Sequence, residues 1–144
     1  MIHSVLGFAA RRVRLRESST SHMRTMSSSS GVGTLLRPFE AHALAAGGTQ
    51  KVVFVDGSSL MDKTRNAKKE YLDKHIPGAK FFDIDDVCDK STGLPHMMPS
   101  EEVFAKWNES MDITNDTQVV VYTSSNCFSG PRVWYVDHDR LEYI

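Results

Sequence analysis

Chemically reactive residues of this sequence gather in one polar loop. Apolar residues 119–122 predict a buried strand, and residues 123–129 form the loop after it, which contains Cys127, one of two cysteines. Pro131 indicates that a helix begins just beyond, because the missing N–H of proline costs nothing at a helix start. Backbone N–H groups and a helix dipole converge on an anion in such an arrangement. The spacing therefore predicts the geometry of an active-site loop.

Cys127 does not match two familiar kinds of thiol site. Tyrosine-phosphatase chemistry needs a cysteine, five residues and then an arginine that holds phosphate through two hydrogen bonds. Only four residues separate Cys127 from Arg132. A zinc site needs closely spaced ligands, whereas Cys88, His75 and His96 are scattered singly along the chain. We therefore predict a small, partly buried thiol without assigned chemistry, and neither a metal ion nor a cofactor.

Short strands and helices alternate around this loop. Apolar runs of strand length occupy residues 51–55, 80–84 and 119–122. Helical segments bounded by cap and stop signals occupy residues 38–46, residues 67–74 and the stretch after Ser100. In the last of these helices, Val103, Phe104 and Trp107 are spaced to share a buried face. The alternation predicts an α/β fold with a parallel, three-layer sheet.

The 144-residue chain divides into a basic leader and an acidic remainder. Six of the 17 Lys and Arg residues, but one of the 18 Asp and Glu residues, precede residue 38. Residues 1–30 are rich in arginine and serine and poor in acids, which is typical of an organelle transit peptide. We therefore predict a leader over residues 1–30 and a mitochondrial location. The alternative is a disordered tail on a cytoplasmic protein.

Composition also narrows the class of partner. A hydrophobic content of 40% and a charged content of 24% are those of a soluble globular domain. The acidic balance after the leader argues against nucleic acid, and no apolar run approaches the length of a membrane span. Two cysteines do not make a disulfide framework, so the sequence favours a reducing compartment.

Six short motifs together resemble one protein family. They are Asp56-Gly57-Ser58, Arg65-Asn66-Ala67, His75-Ile76-Pro77-Gly78-Ala79, Phe81-Phe82-Asp83-Ile84-Asp85, Leu94-Pro95-His96-Met97 and Ser129-Gly130-Pro131-Arg132-Val133-Trp134. In this order and at these intervals they resemble the first domain of the two-domain rhodanese-type sulfurtransferases, over residues 31–135. The resemblance implies a three-layer parallel sheet of rhodanese type. Residues 136–144 lack the family's character, so we expect a divergent tail and a sheet that is incomplete at its C-terminal end.

The resemblance implies an enzyme class as well as a fold. Such enzymes move sulfane sulfur from thiosulfate or 3-mercaptopyruvate to a thiol or cyanide, through a persulfide on a cysteine. That cysteine is the first residue of the loop after the central strand, and in two-domain members it lies in the second domain. Here the first position is Thr123, and Cys127 comes four residues later. The degenerate loop consists of Thr123, Ser124, Ser125, Asn126, Cys127 and Phe128, the last of which should point towards the core.

One histidine and two arginines are further site candidates under this resemblance. His75 would lie at a turn facing the partner domain, where polar groups help to position substrate or move protons. The family usually has an aspartate after the arginine that matches Arg65, but this chain has Asn66, which cannot orient a histidine as a carboxylate does. A turn histidine bonded to backbone is the alternative. Arg65 and Arg132 are candidates for substrate binding, although Arg132 would also suit a pairing with an acidic neighbour.

Two functions stay open at this point. If the chain is itself an enzyme, Cys127 or His75 carries the chemistry, with Cys127 as the sulfur carrier. Otherwise the chain is a non-catalytic module that packs against a catalytic rhodanese domain or another protein, and the small sulfur-containing substrate binds through that second domain. We favour the module, because Thr123 stands where the nucleophile belongs. We also expect marginal stability, since a sheet that lacks a strand exposes an apolar edge.

Overall fold

The computed structural model describes residues 8–10, 35–125 and 127–141. Within them the chain forms five strands: β1 (Phe8–Ala10), β2 (Leu35–Leu36), β3 (Val52–Asp56), β4 (Lys80–Phe81) and β5 (Gln118–Tyr122). The same residues form four helices: α1 (Pro38–Ala46), α2 (Ala67–Asp73), α3 (Glu101–Ser110) and α4 (Gly130–Leu141). Across this described part of the chain, no helix has the length and apolar character that crossing a membrane requires.

Local sequence signals set the ends of α1 and α3. α1 has the predicted bounds, and α3 begins after Ser100, whose Oγ accepts a hydrogen bond from the N–H of Val103 at 3.3 Å. Phe104 is fully buried and Trp107 partly buried, as predicted. Val103, however, is 38% exposed, so the prediction that it shares the buried face is wrong. The face that α3 turns to the core is therefore narrower than predicted. It contains Phe104 and Trp107, whose ring centres are 6.0 Å apart.

The five strands form one sheet in the order β2-β1-β5-β3-β4. β3 pairs in parallel with β5 on one side and with β4 on the other, which confirms the α/β class and the parallel core. β4 is shorter than predicted, because a turn begins at Asp83, whose carbonyl accepts a hydrogen bond from the N–H of Val87 at 2.8 Å. β1 pairs antiparallel with both β5 and β2, so one side of the sheet is not parallel.

Helices cover both faces of this sheet. Every residue of β5 is buried, as expected of a strand between two layers of helix. Val119 and Val121 pack into the core beneath α3 and α4, together with Phe104 and Val133. The residues between them, Val120 and Tyr122, pack on the opposite face with side chains from α1 and α2. Since side chains of a strand alternate between faces, β5 belongs to both cores of a three-layer structure.

One strand of the sheet comes from the arginine-rich leader. The sequence predicted that residues 1–30 take no part in the fold, but Phe8–Ala10 lies between β5 and β2. Phe8 is opposite Tyr122, and Ala10 is opposite Val120. β1 therefore pairs with the edge of β5 that β3 leaves free. The other leader residues lie outside the described part of the chain, and transit-peptide function stays a prediction.

α4 continues past residue 135, where the sequence placed the end of the recognisable domain. The helix runs to Leu141, and Val136 joins Val133 in the core with 1% of its surface exposed. Asp137 is also buried. Positions 133 and 136 lie on the same helix face, so the stretch that the sequence predicted to be a divergent tail contributes a buried side chain to the core. Residues 142–144 lie outside the described part.

Gly57→Ala should destabilise the fold, because α4 lies directly against Gly57. A methyl group there would lie 2.9 Å from Cγ2 and 3.1 Å from Cβ of Val133, a stiff and buried side chain. We expect a loss of about 1–3 kcal/mol in the free energy of unfolding, measured by denaturant titration. Gly47→Ala is the control, since its methyl group would meet only ordinary contacts at 3.4 Å and beyond. Equal midpoints for the two variants would contradict this close packing.

Candidate functional site

Two loops meet at the carboxyl end of the parallel strands. Because β3 and β5 pair in register, Asp56 and Tyr122 lie side by side, and the loops that follow them start together. The N–H of Gly57 donates to the carbonyl of Tyr122 at 2.9 Å, and the N–H of Ser124 donates to Oγ of Ser58 at 2.9 Å. Ser58 is in turn held by its own N–H, which donates to Oδ1 of Asp56 at 2.9 Å. The candidate site is built from these two loops, residues 57–59 and 123–129.

The Cys127 thiol joins the two loops. Its Sγ accepts a hydrogen bond from the N–H of Ser59 at 3.0 Å and donates to the carbonyl of Ser59 at 2.9 Å. Oγ of Ser129 lies 2.9 Å from the same sulfur. Cys127 is a free, partly buried cysteine. Its polar contacts within the described residues therefore serve to hold the β5 loop against the β3 loop.

Ser129 is a central residue of this junction that sequence reasoning missed. Its Oγ donates to the carbonyl of Gly57 and accepts from the N–H of Ser59 at 3.0 Å. Its carbonyl accepts the first helical hydrogen bond of α4, from Val133 at 2.9 Å. A serine directly before Gly-Pro is a helix N-cap signal, and that signal was available in the sequence. The N-cap signal did not indicate that the Ser129 hydroxyl forms hydrogen bonds with the loop after β3.

Thr123 opens the loop and is buried, with 4% of its surface exposed. A methyl group on Gly130 would lie 3.1 Å from Cγ2 of Thr123, so the threonine packs tightly under the start of α4. This is the loop position that the sulfur-carrying cysteine occupies in a catalytic domain, as the family resemblance implies. A hydroxyl oxygen cannot hold sulfane sulfur as a persulfide, which is a sulfur–sulfur bond.

The loop also contains two serines of intermediate burial and one exposed aromatic side chain. Ser124 and Ser125 are partly buried, and Asn126 lies outside the described residues. Phe128 is 82% exposed, so the prediction that it points towards the core is wrong. Cys127 and Ser129 on either side of it turn inward to contact the β3 loop. In an extended stretch, the residue between two inward side chains faces outward.

Arg65 is held by an acidic partner on α2. Its guanidinium donates to both carboxylate oxygens of Glu70, at 2.7 Å and 2.6 Å. The hydrogen bond to Glu70 is the main cause that raises the pKa of Arg65, with smaller contributions from the charges of Glu70 and Asp62. Asn66, which replaces the expected aspartate, caps α2 by accepting from the N–H of Lys69 at 2.8 Å. Arg65 is thus half of an ion pair within the β3–α2 connection and α2.

The two histidines considered in the sequence lie in separate surroundings. Nδ1 of His75 is 2.6 Å from the carbonyl of Tyr71, and its ring stacks on the Tyr71 ring at 4.2 Å. His96 is 3.1 Å from Oδ1 of Asp85. Within the described residues, the polar and ring contacts of these two histidines are with groups other than Cys127. In the described part of the chain, no three His, Cys, Asp or Glu side chains cluster in a way that could hold a metal ion.

Arg132 is anchored to the connector before α3. Its guanidinium donates to the carbonyl of His96 at 2.8 Å and to the sulfur of Met98 at 3.3 Å. Desolvation by partial burial lowers the pKa of Arg132. The sequence predicted that Arg132 binds substrate or pairs with an acidic neighbour. The pairing with an acid is wrong, because the guanidinium donates to a backbone carbonyl and a thioether instead. The connector and α4 are thereby tied together next to the candidate site.

Sequence comparison finds similarity to curated sulfurtransferases. The chain is 46% identical over 84 residues, 57% of its length, to thiosulfate sulfurtransferase of Bos taurus, of which it covers 28%. It is 46% identical over 83 residues, 57% of its length, to thiosulfate/3-mercaptopyruvate sulfurtransferase 1, mitochondrial, of Arabidopsis thaliana, covering 22%. It is 44% identical over 72 residues, 50% of its length, to 3-mercaptopyruvate sulfurtransferase of Escherichia coli strain K12, covering 26%. The chain thus spans less than a third of these relatives, and no family model matches it.

Ser129→Ala should weaken the junction between the two loops. The substitution removes the hydroxyl that donates to the buried carbonyl of Gly57. It also removes one of the acceptors of the Ser59 N–H. We expect a loss of about 1–3 kcal/mol in the free energy of unfolding, measured by denaturant titration. Ser110→Ala is the matched control, because that exposed hydroxyl caps only the end of α3, and its effect should stay within about 0.5 kcal/mol. A Ser129→Ala midpoint equal to the control would contradict the role of this hydroxyl.

Tyr122 should make the fold sensitive to alkaline pH. Burial, and to a lesser degree the charge of Asp56, raises the pKa of Tyr122 above its ordinary value of 10.0. Below pH 10 the Tyr122 hydroxyl keeps its proton in both the folded and the unfolded chain. Above pH 10 the hydroxyl ionises more readily in the unfolded chain, where its pKa is not raised. Stability should therefore fall as pH rises above about 10, by up to about 1.4 kcal/mol per pH unit for this group.

Denaturant titrations at several alkaline pH values would measure this slope. Tyr122→Phe should have a shallower slope than the unsubstituted chain. Tyr71→Phe is the comparison, since burial also raises the pKa of Tyr71 and each tyrosine should contribute separately. Identical slopes for the unsubstituted chain and Tyr122→Phe would show that Tyr122 ionises equally in both states.

Proposed function

We propose, because this chain is related in sequence to the rhodanese-type sulfurtransferases, that it acts as the non-catalytic first domain of such an enzyme. The enzyme transfers sulfane sulfur from thiosulfate or 3-mercaptopyruvate to a thiol or cyanide acceptor. The transfer runs through a cysteine persulfide in a second rhodanese domain, which binds the small sulfur-containing substrate. The alternative is a catalytically inactive rhodanese-like module that binds or organises another protein.

The observation that carries this proposal is the buried Thr123 at the start of the loop. A persulfide enzyme needs a sulfur atom there, aimed at the space that the loop N–H groups surround. Thr123 has a hydroxyl instead, and it is packed beneath Gly130 with 4% of its surface exposed. The two-loop architecture is retained while the first position lacks the required atom. This combination supports a structural role for the chain within a larger sulfur-transferring protein.

Cys127 is the residue that a catalytic role for the chain alone would require. The N–H of Ser59, which donates to its sulfur at 3.0 Å, favours this second candidate, since backbone donors stabilise a sulfur nucleophile. The surroundings argue against it. Ser59 N, Ser59 O and Ser129 Oγ all lie within 3.0 Å of Sγ. A second sulfur, bonded at about 2.05 Å from Sγ, would need space beside those atoms.

Exposed apolar side chains at the same edge support docking of a second domain. Phe128, on the loop after β5, is 82% exposed, and Met61, on the stretch after β3, is 84% exposed. Both follow strands whose carboxyl ends meet at the candidate site. Large exposed apolar residues near one site are typical of an interaction surface. We propose that this edge faces the catalytic domain.

We also propose a mitochondrial location, with the cytoplasm as the alternative. The arginine-rich and serine-rich composition of residues 1–30 supports import. One relative, from Arabidopsis thaliana, carries the word mitochondrial in its name. The relative from Escherichia coli belongs to an organism without mitochondria, so the family by itself does not decide the location.

The isolated chain should show no sulfur transfer. Assays would measure thiocyanate formed from thiosulfate and cyanide, and pyruvate formed from 3-mercaptopyruvate with a thiol acceptor, with bovine thiosulfate sulfurtransferase as the positive control in the first assay. We expect rates equal to those without protein, for the unsubstituted chain and for Cys127→Ser alike, because Thr123 cannot form a persulfide.

The matched control for this assay is Cys88→Ser, which removes the other, buried cysteine. Turnover that survives Cys88→Ser but disappears in Cys127→Ser would overturn the proposal and make the chain itself the enzyme. Intact mass after incubation with thiosulfate gives a second readout. Gain of one sulfur atom by the unsubstituted chain, and not by Cys127→Ser, would count against the proposal in the same way.

A further inference from the structure

β5 has a second main-chain edge that must be paired. All five of its residues are buried, and β3 pairs with one of its two edges. Buried backbone N–H and C=O groups need hydrogen-bond partners, so the second edge needs another strand. β5 is also the strand that leads directly into the candidate site at Thr123. Whatever pairs with that edge therefore supports the loop as well as the sheet.

The leader supplies the partner strand. Phe8, Ala9 and Ala10 lie opposite Tyr122, Val121 and Val120 of β5. On its other side β1 pairs with β2, with Phe8 opposite Leu36. β1 is thus the middle strand of an antiparallel set, and in the described part of the chain it is the strand that links β2 to the sheet. α1 follows β2 after one residue, so β1 also supports the attachment of that helix.

This pairing has the features of an exchangeable contact. β1 has three residues, which is the lower end of the range for strands in globular proteins. Residues 11–34 separate it from β2, and closing a long connection opposes the pairing entropically. The contact is a main-chain pairing of two strands, as in complexes where an extended peptide adds a strand to a sheet. Another extended segment with the same main-chain geometry can satisfy the same edge.

We propose that the groove between β5 and β2 is a strand-binding site, occupied in this chain by its own leader segment Phe8–Ala10. Its ligand class is an extended peptide that binds antiparallel to β5 and is uncharged over the three residues that pair. The leader then has two roles, since the residues whose composition predicts an import signal also complete the sheet. Removal of the leader opens the groove, and the same segment added as a separate peptide fills it.

Ala9→Pro in the full chain tests the resident strand. Proline removes an N–H from the middle residue of a middle strand, a position that prolines do not occupy in sheets. We expect backbone amides of residues 119–122 to exchange with deuterium at least ten-fold faster than in the unsubstituted chain. Ser28→Pro is the control, because it adds a proline to the leader outside β1 and should leave this exchange unchanged. Unchanged protection in Ala9→Pro would overturn the proposal.

A peptide with the sequence of residues 5–13 tests the exchange. Added to the Ala9→Pro chain, it should restore slow amide exchange over residues 119–122 in a saturable way, whereas the same peptide carrying Ala9→Pro should not. If the Ala9→Pro chain fails to fold, thermal unfolding gives the readout, and recovery of a cooperative transition with the unsubstituted peptide supports the proposal. Equal effects of both peptides, or no recovery at saturating peptide, would overturn it.

Discussion

The parallel pairing of β3 with β5 is the interaction on which the rest of the structure depends. It runs in register from Val52 opposite Gln118 to Asp56 opposite Tyr122, so the two strands end at the same level. That common end brings the two loops together and lets Cys127 and Ser129 bond to the β3 loop. A slip of one residue would turn β5 side chains to the opposite faces and separate these contacts. Fold and site therefore rest on one register.

The candidate site has the strand, loop and helix order that suits an anion-binding loop, but its described polar groups hold the two loops together. Hydroxyl and thiol groups that would face a substrate bond across to the neighbouring loop instead, through Ser58, Cys127 and Ser129. Arg65 is paired with Glu70, and Arg132 is bonded to the connector before α3. Among the described residues, these five side chains are thus occupied by partners within the domain. These contacts agree with the structural role that we propose on the basis of the buried Thr123.

Sequence reasoning was accurate where the cause was local. The bounds of α1, the Ser100 cap of α3 and the buried β5 were predicted, because capping and alternation act within a few residues. It failed where the cause was a distant partner. The pairing of β1 with β5 joins positions more than a hundred residues apart in the chain. The packing of Val136 on the sheet joins two different layers of the fold. Neither contact has a signature in the neighbouring residues.

For the candidate site, the sequence by itself determined which atoms are available. It established that the loop begins with a hydroxyl residue, that the thiol comes four positions later, and that an amide residue, Asn66, follows Arg65. Only the tertiary structure decided how those atoms are used: Thr123 buried, Cys127 and Ser129 turned towards the β3 loop, Phe128 turned outward. Side-chain identity is a property of the chain, whereas the direction of a side chain depends on what packs against it from elsewhere in the fold.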